Sequence, residues 1–137
     1  MARDAGDCSG AAGSFDNDYA GDWVWELMDA ADTSILEKAF SHITDADGYL
    51  EAPDCSIGIA AAEVVAALRH RPTTKPPDEV TAFVTRIGAP PSPTLVSSAL
   101  RARERIKTKS ELQESWDASD SRAEWHQAVA ELEWRLK

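Results

Sequence analysis

Ala60-Ala61-Ala62-Glu63-Val64-Val65-Ala66-Ala67-Leu68 is apolar nearly all round, interrupted only by one carboxylate. At about 100° per residue such a run leaves no polar stripe for solvent, so it reads as a central helix flanked by others. Its alanines let neighbouring backbones approach closely. Upstream, Ile57 joins Ala61, Val64, Val65 and Leu68, and Pro53 stands as a first-turn proline that starts the helix. Glu63 lies away from the Ile57/Ala61/Val64/Leu68 stripe yet inside the apolar run. Such a carboxylate either faces solvent along a narrow strip or is buried and paired, for example with an arginine. The structural pairing is the expected arrangement; buried with a raised pKa, Glu63 would be a functional candidate.

Outward from that helix the chain reads as helices joined by loops of ordinary length. Asp16 or Asn17 can cap a first helix running to about Ala31, and Asp32-Thr33-Ser34 starts a second carrying Ile35, Leu36, Ala39, Phe40 and Ile43. Arg71 to Pro77 is a Pro/Thr linker. Asp78 to Ile87 is a short helix ended by Gly88, and Ala89-Pro90-Pro91-Ser92-Pro93 is a second break. Leu95 to Lys107 forms another helix, and Ser110-x-x-Gln113 is a capping box with Leu112 and Trp116 four residues apart behind it. The last helix places Trp125, Val129, Leu132 and Leu136 on one face. No strand is supported, since Thr81-Ala82-Phe83-Val84 fits a helix equally well. The expected fold is all-α, with about six or seven helices in a single domain over residues 13–137 and an irregular N-terminal extension over residues 1–12.

At 137 residues, with 43% hydrophobic and 28% charged, the chain has the composition and size of one globular domain. No apolar run approaches the roughly 20 residues of a membrane span, and the N-terminus lacks the apolar core of a signal peptide. Cys8 and Cys55 form no CxxC or Cys/His cluster, so they read as free thiols of a cytoplasmic protein without a zinc site. The net charge of −10 is uneven: residues 1–54 hold thirteen Asp/Glu against Arg3 and Lys38, while residues 55–137 are nearly neutral. An acidic front half repels a phosphate backbone and argues against nucleic acid as a partner. Arg101, Arg103, Arg105, Lys107 and Lys109 read as a solvated helix face.

The first helix divides into two faces. Tyr19, Ala20, Trp23, Val24 and Leu27 share one, and Asp18, Asp22, Glu26 and Asp29 share the other, near the positive end of the helix dipole. Trp25 projects on the acidic side, where it either packs under the N-terminal segment or serves as an exposed anchor of the kind found at binding hot spots. Asp45-Ala46-Asp47-Gly48 fails as a calcium loop, because Ile43 would stand at the first ligand position. His42, His70 and His126 lie on three separate segments, with no nucleophile motif or metal-ligand spacing beside them.

Phe15-Asp16-Asn17-Asp18, then Ala20, Asp22 and Trp23, resembles the N-terminal signature of an uncharacterised, mainly bacterial family, domain of unknown function 4259. Members of that family commonly open with Trp-Gly-x-Gly-x-Phe-x-Asn-Asp-x-Ala-x-Asp-Trp. Tyr49-Leu50-Glu51-Ala52-Pro53 with the run from Ala60 to Leu68 is similar to a second block. Ser110-Glu111-Leu112-x-x-x-Trp116, Glu124-Trp125 and Leu132 are similar to its tail. The family's leading Trp-Gly falls here on Gly10-Ala11. The resemblance implies a small bacterial protein with no established activity.

Two functions from different classes remain as expectations. The first is a non-enzymatic, immunity- or antitoxin-like protein that binds a partner with a basic surface through Asp18, Asp22, Trp25, Glu26, Asp29 and Trp134, with no cofactor, metal, nucleic acid or membrane involved. The alternative is a metal-dependent hydrolase built on the carboxylates Asp18, Asp22, Glu51 and Glu63.

Overall fold

The computed structural model describes residues 18–45, 52–71, 78–108, 117–119 and 122–137. These form six helices: α1 (Asp18–Met28), α2 (Ser34–Thr44), α3 (Ala52–Leu68), α4 (Asp78–Ile87), α5 (Pro93–Thr108) and α6 (Arg122–Leu136). No strand occurs among the described residues. The calcium-like turn after Asp45, the capping box at Ser110, Cys8 and the N-terminal extension lie outside them.

The apolar run is the hub of the fold. Helix α3 packs against all five other helices, while α1 otherwise lies on α4, α2 on α5, and α6 on α5. Every residue from Ile59 to Leu68 is buried, Glu63 included. At Gly58 a Cβ would stand 3.0 Å from Ile106 Cδ1 and 3.2 Å from Ile43 Cγ1, so the bare backbone of α3 lets these side chains of α5 and α2 pack directly on it. The predicted α6 stripe of Trp125, Val129, Leu132 and Leu136 is wholly buried.

Helix ends follow local chemistry. Asp32 accepts hydrogen bonds from the Ser34 backbone N–H (3.0 Å) and hydroxyl (2.6 Å), a turn that leads into α2. Helix α1 stops at Met28 rather than near Ala31, because Asp29 and Ala30 donate to Glu26 and Leu27 three residues back and tighten the last turn. Helix α3 starts at Ala52, one residue before Pro53. Helix α5 starts at Pro93, two residues before the expected Leu95. Ser92 caps it, its hydroxyl accepting from Leu95 N–H at 3.1 Å, and Pro93 takes the first helical position, where no donor is needed. Helix α4 has the predicted bounds, followed by Gly88 at φ 63°. Helix α3 closes with His70 at φ 65°: Arg71 N–H donates to Ala66 and His70 N–H to Ala67, a Schellman motif that usually carries glycine at this position.

Arginines lock the helices together. Arg86 of α4 donates to the Leu27 (2.9 Å) and Ala30 (3.0 Å) carbonyls at the end of α1. Arg105 of α5 does the same for Ile43 (2.9 Å) and Thr44 (3.4 Å) at the end of α2. Arg103 is buried, donates to the Val129 carbonyl (3.3 Å) and pairs with Glu104 and Glu133. At a helix end the last carbonyls are short of intrahelical donors, and these guanidinium groups supply further ones. The expected solvated basic face on α5 is therefore corrected: Arg101 is exposed, but Arg103 and Arg105 turn inward to carbonyls and carboxylates of neighbouring helices.

Candidate functional site

The α1 face is built by periodicity. Ala20, Trp23, Val24 and Leu27 are buried against α3 and α4, which turns Asp22, Trp25, Glu26 and Asp29 to the outside. Trp25 is 65% exposed and stands on the outer crest between Asp22 and Asp29, three and four residues away on the same side of the helix. The N-terminal segment, under which Trp25 could otherwise pack, lies outside the described residues. Tyr19, expected on the apolar face, is 48% exposed, because it falls at the edge of the buried arc. Met28, at the other edge, is also exposed. The side chain of Asp18, which opens α1, lies outside the described residues.

The acidic surface continues past the helix end. Glu26, Asp29, Asp32, Ser34, Ile35 and Lys38 line an open cleft of about 620 Å³ between the end of α1 and the start of α2, floored by Ala30 and Ala31. The Ser34 hydroxyl and backbone N–H hold the Asp32 carboxyl below its ordinary range, so this carboxylate stays charged. In the sequence Asp32 reads only as a helix-start residue.

Trp134 is on a different surface. It is 72% exposed on α6, which packs on α3 and α5, whereas α1 packs on α3 and α4. Its neighbour is a cation: the Arg71 guanidinium sits 5.7 Å from the ring centroid. Arg71 follows the end of α3 and carries no periodic signal, which is why sequence reasoning passed over it.

Of the alternative carboxylate set, Asp22 is exposed on α1 and Glu63 is buried with both oxygens on Arg135, at 2.6 and 3.0 Å. Burial disfavours the Arg135 cation, but the hydrogen bonds and charge of Glu63, with Glu131 beyond, outweigh it and raise its pKa above the ordinary value. Glu63 thus takes the expected structural pairing. Glu51 and the Asp18 side chain lie outside the described residues. Among the described residues no group of three or more His, Cys, Asp or Glu side chains is placed to hold a metal ion. His42 and His70 are exposed, and His126 contacts Asp117 at 2.5 Å with its ring edge-on to Trp125. Cys55 is a buried free thiol on α3. Among the described residues no helix is long and apolar enough to cross a membrane.

No curated protein and no solved structure matches this chain. The sequence model of one family, described as Domain of unknown function (DUF4259), matches residues 10–128, and the chain belongs to that family.

Proposed function

We propose that this protein is a non-enzymatic protein-binding module of the immunity or antitoxin kind, acting in the bacterial cytoplasm through the acidic face of α1. The observation that carries this reading is the exposed Trp25 indole, set on the crest of α1 among the exposed carboxylates of Asp22, Glu26 and Asp29. Water solvates carboxylates well and an indole poorly, so a tryptophan held outward costs free energy that a partner surface recovers. The flanking carboxylates select a basic partner, since a Lys or Arg placed over the indole gains from the ring and from the adjacent charges together. The cleft lined by Glu26, Asp29 and Asp32 extends the same negative field along the end of the helix.

The test is affinity capture from a bacterial lysate at low salt, comparing wild type with Trp25→Ala and Asp22→Ala/Glu26→Ala. The expected result is a basic protein retained by wild type, lost from both folded variants, and bound more slowly as salt rises. A partner bound equally by Trp25→Ala would refute this assignment.

A further inference from the structure

The Arg71–Trp134 corner is a second outward surface, with an arginine beside its indole where the first has carboxylates. Trp134 is the most exposed large hydrophobic residue described, and the Arg71 guanidinium lies over its ring. Among the described residues no carboxylate or carbonyl engages that guanidinium. Close by, Lys137 pairs with Glu133 at 3.4 Å, and Glu131 stands 3.6 Å from Arg135, which Glu63 also engages. Arg71 and the exposed His70 are left as the outward groups at the end of α3.

The corner is also held in place. The Arg71 backbone N–H is tied to Ala66, and its carbonyl accepts from Arg135 Nη1 at 3.3 Å, itself anchored by buried Glu63. Arg69 donates to the Lys137 carbonyl at 3.1 Å, joining the ends of α3 and α6. These bonds hold the backbone that presents both side chains, and arginine and tryptophan are residue types enriched where binding energy concentrates.

A surface of this kind fits carboxylates set beside an aromatic ring, and this chain carries such a surface itself on α1. We propose that the partner surface of α1 is the Arg71–Trp134 corner of a second copy of this chain. The inference rests on the reading of α1 as a binding face, and it is carried by charge complementarity. Asp22, Glu26 and Asp29 of one copy meet Arg71 of the next, with the indoles of Trp25 and Trp134 brought into the same contact. Because two different surfaces meet, each pairing leaves one of each free, so copies add head to tail into a ring or an open chain.

Sedimentation velocity on the purified full chain tests this. Wild type should gain mass with concentration at ~50 mM salt and revert towards monomer at ~500 mM, where screening shortens the reach of the charges. Arg71→Glu alone and Asp22→Lys/Glu26→Lys alone should each weaken association on the order of tenfold or more. An equimolar mixture of the two variants should restore it, because each reversed surface then finds a complementary one. All the substituted side chains are exposed, and far-UV circular dichroism checks that the helices persist.

A wild type that stays monomeric, an association indifferent to Arg71→Glu, or a mixture that fails to recover would overturn the proposal. A monomeric wild type that still captures a basic protein through Trp25 overturns only the second copy as partner. A monomeric wild type together with a capture indifferent to Trp25→Ala removes the α1 reading as well.

Discussion

Glu63→Ala isolates the contact that ties α6 to the central helix. In the native chain Glu63 and Arg135 are 3% and 7% exposed, and two charge-assisted hydrogen bonds of 2.6 and 3.0 Å join them. Among the described residues, removing the carboxylate leaves the buried guanidinium with the Arg71 carbonyl at 3.3 Å and Glu131 at 3.6 Å. Breaking one side of a buried pair costs about 3–5 kcal/mol, and the two remaining contacts place this case near the low end. For 137 residues, a loss of about 3 kcal/mol lowers Tm by roughly 10 °C. Glu63→Leu/Arg135→Met removes both charges at similar volume, and it should recover most of the loss, since apolar replacement of a buried pair is commonly neutral or better. Urea unfolding followed by far-UV circular dichroism measures all three proteins. A single variant losing less than about 1 kcal/mol, or a double variant as unstable as the single, would refute the reasoning.

Three other perturbations follow from the same packing. His70→Gly should raise stability by about 0.5–1 kcal/mol, because glycine adopts the left-handed conformation at φ 65° without a Cβ penalty; a lower urea midpoint would contradict it. Gly58→Ala should destabilise, as overpacking of about 1–3 kcal/mol outweighs a helix-propensity gain of about 1 kcal/mol. Ile106→Val removes the atom 3.0 Å from the new Cβ, so a double-mutant cycle should show favourable coupling, and strict additivity would refute the contact. Finally, the charge of Arg103, with the Lys137 hydrogen bond and charge and a smaller contribution from Lys107, holds the Glu133 carboxyl below its ordinary value of 4.5. A group depressed on folding adds stability above its unfolded pKa and loses it as pH falls through the folded one. An acid titration of wild type should therefore lose more stability below pH 4.5 than one of Glu133→Gln, and parallel curves would rule this out.

Near-neighbour patterns in the chain fix its helices. The apolar run from Ala60 to Leu68 marked the central helix, Gly88 marked the stop of α4, and four-residue spacing marked the buried stripe of α6. Each is legible because helix periodicity and end chemistry act within a few residues. The acidic face of α1 was legible for the same reason, since burying Trp23 and Leu27 turns Asp22 and Glu26 outward. Proline at the first turn of α5 was overlooked only because Ala89–Pro93 also reads as a break. The long-range contacts arise only on packing. Arg86, Arg103, Arg105 and Arg135 look like surface cations, yet each engages a group 26 to 72 residues away, because a long stem can carry its guanidinium inward to a backbone carbonyl or a buried carboxylate. The same distances hid the pairing of Arg71 with Trp134, which are distant in sequence and adjacent only because α6 folds back along α3. Local pattern sets which face of a helix is buried; which charges remain outside depends on partners that only the packed chain brings together.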